Sequence, residues 1–453
     1  MRKKIKPNTA VSVGFVSLGC PKNTVDSESM LARIGQAGYI LSSDIEADVV
    51  IVNTCGFIAP AKEEALDVIS QAVDKKKKGR IRKIIVTGCL PQRLGDTLLE
   101  EVPEIDAVVG LGQRDTIAEI IENVLNSQKN QSKPRSFLQS SAEMIHDDRN
   151  RLLINPSHWA YLRISEGCGR KCSFCTIPAI RGKFRSKPME MILSEARQLA
   201  EAGVIELNLV AQDTSSYGRD LGLKDGLVTL ISELEKIEKL EWIRLMYLYP
   251  SAIDLPLIEA VAARPKVLRY IDMPIQHINN SILKAMHRAD TKEHTINLID
   301  TLRKRMPDVI LRTTVIVGFP GETDEQFGEL AEFIQWARFD ALGGFSYFAE
   351  SGTPAATLPN QTPDSIKQRR LDILMTTQQK IAFEKAKEMI GKEIKVLVDT
   401  AGADGFACGR YYGQAPHIDS VCIIKNTAPP PGQFIRARVI DTQDYDLIVE
   451  QIQ

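Results

Sequence analysis

The segment ISEGCGRKCSFCTIP carries three closely spaced cysteines, Cys168, Cys172 and Cys175. It constrains the fold and the chemistry of this chain more than any other part of the sequence. Three thiols cannot all pair in disulfides, and no fourth cysteine or histidine lies within a few residues to complete a structural zinc site. An iron–sulfur cube normally takes four thiolates, so three leave one iron open to bind another molecule. The C-x3-C-x2-C spacing therefore predicts a cluster with an open iron.

The composition is that of a globular protein with room for several domains. The chain has 453 residues, of which 25% are charged, and a formal net charge of −1, so no global field favours nucleic acid or a membrane surface. Eight cysteines are too few for a disulfide scaffold in so long a chain and fit a reducing compartment. No apolar run approaches the roughly 18 residues of a membrane span. We therefore expect a cytoplasmic protein without a membrane anchor.

The first twenty residues resemble a lipoprotein signal, with a basic start, a short apolar run and a cysteine at Cys20. However, Pro7 and Asn8 interrupt the segment, and Ser17 stands where such a signal needs Leu. We interpret it as a strand that ends in a functional cysteine.

Residues 11–125 alternate strand-like and helix-like runs, which predicts an α/β domain with a parallel sheet. The strand-like runs are VSVGFVSLG, ADVVIVNT and RKIIVTG, separated by the helical patterns NTVDSESMLARIGQAG and PAKEEALDVISQAVDKKKKG. Residues 126–153 follow as a polar, aperiodic segment that we interpret as a linker.

A second cysteine set is spread over this domain, and each member ends one of the strand-like runs: Cys20, Cys55 and Cys89. In a parallel sheet these strand ends meet at one edge, where open α/β sheets bind ligands. The three thiols are therefore predicted to hold a second cluster, again with one open iron. Three glycines, Gly19, Gly56 and Gly88, flank these cysteines. They would permit the backbone to approach a cluster closely. The alternative is three independent buried cysteines.

Residues 154–380 repeat a strand–helix unit six times, which predicts an open, partial (β/α)6 barrel, because a closed barrel needs eight units. The candidate strands are HWAYLRIS, VIELNLVAQ, WIRLMYLY, LRYIDMPI, VILRTTVIVGF and LGGFSYF. From 383 to 453 a short helix, KIAFEKAKEMIG, precedes strands parted by Gly- and Pro-rich turns, which predicts a small antiparallel β barrel. Cys408 and Cys422 lie in these strands and are interpreted as small buried hydrophobes.

Two three-cysteine sites, one on an N-terminal α/β domain and one on a partial barrel, followed by a small β barrel, resemble the radical S-adenosylmethionine (SAM) methylthiotransferases with their C-terminal TRAM domain. Three local strings resemble the RimO branch, which modifies an aspartate of small-subunit ribosomal protein twelve (uS12): VNTCGFIAPAKEEALD, LVAQDTSSYGRD and MPIQHINNSILKAMHR. The tRNA-modifying relatives typically carry Gln-Asn-Val in place of Gln212-Asp213-Thr214 and Gln-Ser-Gly in place of Gln276-His277-Ile278.

The resemblance implies a transferase with two [4Fe-4S] clusters that methylthiolates the β-carbon of the aspartate. The cluster on Cys168, Cys172 and Cys175 would cleave SAM reductively, while the other set would hold a cluster that presents sulfur, and a second SAM would supply the methyl group. No side chain is assigned as a catalytic acid or base. The implied partners are uS12, free or in the ribosome, a sulfur donor and an electron donor.

The resemblance also implies contacts to SAM at the ends of the barrel strands. Gln212 and Asp213 would contact its methionyl part, and Gly318 and Gly321, in TTVIVGFPGET, would approach its nucleoside. The latter segment also fits an ordinary strand-to-helix turn capped by Thr323 or Asp324.

The remaining polar residues near these motifs leave both structural and functional roles open. His277 serves as a marker of the branch, and its simplest interpretation is structural. Tyr217, Arg181 and Arg185 either orient an acidic substrate or face solvent.

Two rival functions remain open. A tRNA adenosine methylthiotransferase would share the chemistry, and a non-catalytic iron–sulfur electron carrier or metal-stapled RNA-binding protein would share the cysteines. Residues 383–453 hold 8 Lys/Arg against 10 Asp/Glu, which suits a basic ribosomal protein better than RNA.

Overall fold

The computed structural model describes residues 11–42, 46–126, 135–138, 145–402 and 406–452. The chain divides into two compact units. The first comprises the described part of Met1–Ile154 with Glu166–Gly169 and Thr176–Phe184, and the second comprises Asn155–Ser165, Arg170–Cys175 and the described part of Arg185–Gln453. Within the described residues, no helix combines the length and the apolar character needed to cross a membrane.

The N-terminal elements alternate strand and helix, as the sequence predicts. They are β1 (Ser12–Ser17), α1 (Pro21–Gln36), β2 (Ile40–Ser42), β3 (Val49–Thr54), α2 (Ala59–Lys77), β4 (Lys83–Gly88), α3 (Cys89–Leu94), α4 (Thr97–Glu101), β5 (Ala107–Val109), α5 (Ile117–Asn126) and β6 (Arg135–Phe137). The strands form one parallel sheet in the order β2-β1-β3-β4-β5-β6. The predicted parallel α/β domain is therefore confirmed.

Helices cover both faces of this sheet, which explains why β3 is a continuous run of apolar, β-branched residues. Val50 and Val52 point into an apolar cluster with residues of α2, and Val49 and Ile51 point into a second cluster with residues of α1 and α5. With apolar contacts on both faces, β3 becomes the buried centre of the sheet.

Part of the predicted linker belongs to the sheet. Arg135–Phe137 form β6, which pairs in parallel with β5 at the sheet edge. A three-residue edge strand is too short to show a period of two in the sequence, so the linker interpretation of 126–153 is wrong for these residues. Residues 127–134 and 139–144 lie outside the described part of the chain.

The central elements build the partial barrel. They are β7 (Trp159–Arg163), β8 (Ser165–Glu166), α6 (Ile177–Arg181), β9 (Arg185–Ser186), α7 (Met189–Glu201), β10 (Glu206–Val210), α8 (Gly226–Glu235), β11 (Trp242–Leu245), α9 (Leu255–Ala263), β12 (Val267–Asp272), α10 (Asn280–Ala285), α11 (Lys292–Arg305), β13 (Ile310–Val317), α12 (Asp324–Ala337), β14 (Ala341–Ser346) and α13 (Asp364–Lys387). The six predicted strands form one parallel sheet in the order β14-β13-β12-β11-β10-β7. Among the described strands, β14 and β7 do not pair with each other, so the barrel is open as predicted.

The last domain is a closed five-stranded barrel. Its strands are β15 (Glu393–Ala401), β16 (Ala407–Tyr411), β17 (Cys422–Lys425), β18 (Phe434–Gln443) and β19 (Asp446–Gln451), in the order β15-β16-β17-β19-β18. The small barrel is confirmed, although β17 and β19 pair in parallel whereas the other pairs are antiparallel. The preceding helix, α13, is much longer than predicted, with 24 residues. Cys422 is buried in the barrel core and Cys408 is partly exposed.

Buried charges join the closed barrel to the partial barrel. Arg410 forms a fork with both carboxylate oxygens of Asp399, at 2.7 and 2.9 Å, and its Nη1 lies 2.8 Å from Glu206, the first residue of β10. His158 lies 2.8 Å from the same Asp399 carboxylate. Arg410 is only 2% exposed and Glu206 is fully buried, so neither charge has water as a substitute partner.

We expect Arg410→Met to lower the free energy of unfolding of the second unit by about 3–5 kcal/mol, because it removes the buried cation that Asp399 and Glu206 share. Glu206 would retain Arg244, at 3.2 Å, and Asp399 would retain His158, at 2.8 Å. Chemical denaturation measures this loss. Arg436→Met is the matched control, since Arg436 lies in the same barrel but pairs with Glu393 on the surface and should leave stability unchanged. Equal effects of the two substitutions would contradict a structural role for the buried pair.

Candidate functional site

The first cysteine set lies at the carboxyl edge of the N-terminal sheet. Cys55 follows β3 directly, Cys89 follows β4 and begins α3, and Cys20 stands just before α1, three residues after β1 ends. Strands β1, β3 and β4 are neighbours and run parallel, so their ends are adjacent. The structure therefore brings these three cysteines to one place, as their strand-end positions predict.

Two glycines beside the cysteines, Gly19 and Gly88, allow the loops that carry the thiols to pack closely against each other. Gly19 and Gly88 have φ values of +95° and +99°. A Cβ atom at Gly19 would lie 2.9 Å from the Cβ of Cys55, and one at Gly88 would lie 2.4 Å from Oδ1 of Asn53. Any larger residue would push the strand ends apart, and with them the thiols.

Asn23, in the first turn of α1, connects two of the thiols. Its Oδ1 accepts weak hydrogen bonds from Sγ of Cys20 at 3.9 Å and Sγ of Cys89 at 3.7 Å. Its Nδ2 donates to the carbonyl oxygens of Leu18 at 3.1 Å and Thr54 at 2.9 Å. An amide can donate and accept at once, so this single side chain fastens the loop ends around the thiols.

Arg181, at the end of α6, is the buried cation of this edge. Its Nη2 donates to Oδ1 of Asn23 at 2.7 Å and to Oδ2 of Asp26 at 3.1 Å, and its Nη1 lies 3.1 Å from Oε1 of Glu166. Burial alone would lower the pKa of Arg181, but Cys89, Glu166 and Asp26 raise the pKa well above its usual range. Neither Asn23 nor Arg181 follows from a sequence motif, although Asn23 lies only three residues after Cys20.

The three thiols have different acidities. Burial raises the pKa of Cys89 to about 12 and also raises the pKa of Cys55. Burial acts in the same direction on Cys20, but Lys22, Arg181 and two backbone N–H groups outweigh it and lower the pKa of Cys20 below its usual range. Cys20 is therefore the thiol most readily ionised for metal binding.

The residues at this edge fit an iron–sulfur group. Thiolates are the soft ligands that such clusters take, and the buried guanidinium of Arg181 beside them compensates negative charge. Within the described parts of the chain, no three His, Cys, Asp or Glu side chains lie close enough to hold a single metal ion.

The second cysteine set is divided between the two units, with Cys168 in the first and Cys172 and Cys175 in the second. The N–H of Cys168 donates to the carbonyl of Gly182 at 3.2 Å, and the N–H of Cys175 donates to the carbonyl of Cys172 at 3.2 Å. Gly167 has φ +72°, and a Cβ there would meet the carbonyl oxygen of Lys183 at 2.2 Å. A glycine is therefore required just before the first cysteine of this motif.

Two arginines surround an aromatic ring near Cys172. The guanidinium carbons of Arg170 and Arg288 lie 3.8 and 4.0 Å from the ring centroid of Tyr249. Burial raises the pKa of the Cys172 thiol, against the opposing effects of Arg288 and Arg170. These cations favour the thiolate that a cluster would need.

Asp213 positions one of these arginines. Its Oδ2 accepts from Nε of Arg170 and from Oγ of Ser216, both at 2.7 Å, and its Oδ1 accepts from Oγ of Ser215 at 2.6 Å. Both carboxylate oxygens are thus engaged within the chain, and Asp213 is only 3% exposed. Because its carboxylate holds Arg170 in place, the structure supports a positioning role for Asp213. Gln212, its neighbour, lies two residues after the end of β10.

The GFPGET segment is a strand-to-helix turn organised by Glu322. Oε2 of Glu322 accepts from the backbone N–H of Gly318 at 2.8 Å and of Phe319 at 3.2 Å, while its Oε1 accepts from Arg370 at 2.9 Å. Burial raises the pKa of Glu322 to about 6. Gly318 and Gly321 have φ values of +72° and +81°, which glycine adopts without strain.

The predicted helix cap in this segment is confirmed. Thr323 accepts a hydrogen bond from the N–H of Gln326 at 3.3 Å, and the side chain of Gln326 accepts from the N–H of Thr323 at 2.9 Å, forming a capping box.

His277 is a buried structural residue. Its Nδ1 accepts from the N–H of Asn279 at 3.0 Å, and its Nε2 lies 3.7 Å from Oε2 of Glu322. Burial lowers its pKa to about 3, so the imidazole is neutral near pH 7. This agrees with the structural interpretation of His277.

The solvent-facing alternative is wrong for Arg181 and Tyr217. Arg181 is 2% exposed and Tyr217 is 1% exposed, with its hydroxyl donating to the carbonyl of Lys187 at 3.0 Å. Arg185 begins β9 and is partly buried.

Three family models match this chain. The description "Uncharacterized protein family UPF0004" matches residues 12–110, "Radical SAM superfamily" matches residues 162–334 and "TRAM domain" matches residues 390–452. Among solved structures, the fold is similar to the radical SAM methyltransferase TsrM from Kitasatospora setae (TM-score 0.54, 14% identity, 76% of this chain and 74% of that chain). It is also similar to the cobalamin-dependent radical enzyme OxsB (TM-score 0.51, 13% identity, 81% of this chain and 56% of that chain).

Curated relatives match over nearly the full length. The ribosomal protein uS12 methylthiotransferase RimO of Geobacter sulfurreducens is 44% identical over 98% of this chain and 99% of its own length. The RimO protein of Clostridioides difficile is also 44% identical, over 97% of this chain and 98% of its own length.

The partial barrel and the Radical SAM match together define a radical SAM enzyme. At this identity and coverage, the chain belongs to the RimO family of ribosomal protein methylthiotransferases, and it is therefore a transferase.

We expect Gly88→Ala to lower the free energy of unfolding by about 2–5 kcal/mol, because it adds a steric clash to a left-handed backbone. The control is Gly79→Ala, since Gly79 also has a positive φ, +76°, but a Cβ there would meet no atom within 4 Å. It should cost only about 1 kcal/mol. Urea denaturation of the cluster-free protein compares them, and equal losses would show that the clash at Gly88 is relieved elsewhere.

Proposed function

We propose that this chain methylthiolates the β-carbon of an aspartate in small-subunit ribosomal protein twelve, using two [4Fe-4S] clusters and two SAM molecules per turnover. The observation that carries the proposal is the near full-length similarity to RimO proteins, combined with two separate sets of three cysteines. The reaction would take place in the cytoplasm, with a sulfur donor and an electron donor as further partners.

The substrate bond explains why cofactors are needed. The hydrogen on the β-carbon is not acidic, so no side-chain base removes it readily. A reduced cluster with SAM supplies the radical chemistry that breaks such a bond. The protein then has to hold the cofactors, orient the substrate and exclude water.

Cys168, Cys172 and Cys175 would hold the cluster at which SAM binds. Arg170 and Arg288 favour the thiolate form of Cys172, and Asp213 fixes Arg170 through a bond of 2.7 Å. These contacts place Arg170 and Arg288 beside the cysteine motif.

Gln212, Asp213, Gly318 and Gly321 would form the SAM site at the carboxyl ends of the barrel strands. Gln212 would contact the methionyl part, while Asp213 acts through Arg170. Gly318 and Gly321 would approach the nucleoside through the backbone of a turn whose shape Glu322 fixes. A Cβ at Gly321 would meet no atom within 4 Å, whereas one at Gly318 would meet Cγ of Lys367 at 2.4 Å.

Cys20, Cys55 and Cys89 would hold the second cluster, at which sulfur is presented. Their convergence at one edge of the sheet supports this role, as does the buried cation Arg181 beside them.

A protein substrate is favoured over tRNA by the charge of the last domain. Residues 383–453 hold 8 Lys/Arg against 10 Asp/Glu, and an RNA-binding module would need an excess of cations to neutralise phosphates. Arg410, moreover, is buried and already paired.

Single cysteine substitutions should separate the two cluster sites. We expect about eight irons in the wild-type protein and about four in Cys172→Ala or Cys55→Ala. Cys172→Ala should lose SAM cleavage, whereas Cys55→Ala should keep SAM cleavage and lose sulfur insertion. Cys408→Ala, in the last barrel, is the control and should retain about eight irons. Methylthiolated product from Cys55→Ala would refute a second cluster that presents sulfur.

The substrate can be tested in cells that lack the gene. Mass spectrometry should show ribosomal protein twelve lighter by the mass of CH2S, with the methylthioadenosine content of tRNA unchanged. Loss of the tRNA modification with an unaltered ribosomal protein would instead identify the tRNA enzyme.

A further inference from the structure

Arg181 occupies an unusual position for a charged side chain. It is 2% exposed and lies among groups that are either anionic or hydrogen-bond acceptors, namely Asn23, Asp26 and Glu166. A buried cation is costly unless several partners compensate it, and the sequence suggests for Arg181 only the orientation of an acidic substrate or a position in solvent.

We infer that Arg181 is the positioning residue of the Cys20–Cys55–Cys89 site: a fixed cation that sets how readily a cluster held there is reduced, and that ties this site to the segment carrying Cys168. The inference rests on the proposed second cluster and deepens it by assigning its electrostatic partner.

The planar guanidinium reaches several partners from one place. One nitrogen donates to Oδ1 of Asn23 at 2.7 Å, the same oxygen that accepts from the thiols of Cys20 and Cys89. The other nitrogen lies 3.1 and 3.3 Å from the two oxygens of Glu166. A lysine would supply the charge but not this fork.

Arg181 also acts on the whole cysteine set. It interacts electrostatically with Cys20, Cys55 and Cys89, whereas Lys22 acts on Cys20. Cys89 is buried, whereas Cys20 and Cys55 are half-buried. Three thiolates at this site repel every electron added to a cluster that they hold. A fixed cation offsets this repulsion, and because Arg181 is only 2% exposed, water screens its charge little.

The tie to the second motif runs through α6 and its neighbours. Glu166, which pairs with Arg181, lies two residues before Cys168, and the carbonyl of Gly182, next to Arg181, accepts from the N–H of Cys168 at 3.2 Å. Both links lie within the first unit. A change at Arg181 therefore reaches the first cysteine of the other set through one hydrogen-bonded turn.

The test measures the reduction potential of the second cluster alone. Full-length protein carrying Cys172→Ala and Cys175→Ala is reconstituted anaerobically with iron and sulfide, and the midpoint potential is followed by electron paramagnetic resonance. In this background, we expect Arg181→Gln to shift the potential to more negative values, and Arg181→Lys to keep it near that of the parent.

Arg114→Gln is the matched control. Arg114 is also 2% exposed and shares Asp26 with Arg181, through a bond of 2.7 Å, but contacts no cysteine. Its substitution should destabilise the domain and shift the potential less than Arg181→Gln, because Arg114 acts on the site through Asp26. Glu166→Gln should shift the potential in the opposite direction, to more positive values, because it removes an anion beside Arg181. This variant replaces Arg181→Gln in the test if Arg181→Gln does not fold.

The outcomes separate the inference from the proposed function. A doubly substituted parent that binds no cluster would refute the second cluster itself. A parent that binds the cluster, with Arg181→Gln no different from Arg114→Gln, would overturn the role of Arg181 alone. So would a Lys variant shifted as far as the Gln variant, or a Glu166→Gln variant with no shift.

Discussion

Three neighbouring parallel strands, β1, β3 and β4, bring distant cysteines together because their carboxyl ends lie side by side. This shared direction is the constraint on which the rest of the N-terminal site depends. The loops that leave the strands must turn in very little space, which the glycines at 19, 56 and 88 permit. Asn23 then fills the gap between the loops, and its carbonyl oxygen offers Arg181 an acceptor beside the thiols. The site is thus a consequence of sheet geometry, with side chains added where backbone polar groups need partners.

Much of the fold follows from residue patterns, and the parts that do not have a common cause. The six barrel strands and the strands that end at Cys55 and Cys89 are runs of β-branched and apolar residues, so the sequence predicts them. The edge strand Arg135–Phe137 and the first half of α13 are polar or very short and carry no such pattern. The cysteines can be predicted as ligands because thiols are rare. Asparagine and arginine are common residues, so the sequence does not single out Asn23 or Arg181 as part of this site. Their importance arises from contacts across more than 150 residues, which no local spacing encodes.

Buried charge recurs at each site, and each time a carboxylate holds an arginine in place. Asp26 and Glu166 hold Arg181 near one cysteine set, and Asp213 holds Arg170 near Cys172. An arginine that is already paired gains less from moving toward a new anion, so its position is fixed before any cofactor binds. This preorganisation has an energetic cost, because each pair must be desolvated on folding. This desolvation cost has a functional reason if the arginines act on a charged cofactor, which the polypeptide itself does not supply.

The closed barrel meets β10 at the opposite end from the candidate SAM contacts. Glu206, which begins the strand, pairs with Arg410 of the closed barrel, whereas Gln212 and Asp213 follow its other end. A strand rises about 3.3 Å per residue, so Glu206 and Val210, the first and last residues of β10, are about 13 Å apart. The buried ion pair anchors the closed barrel at the first residue of this strand. A macromolecule, whether protein or RNA, can contact both ends of β10, whereas an isolated aspartate side chain spans only a fraction of that length.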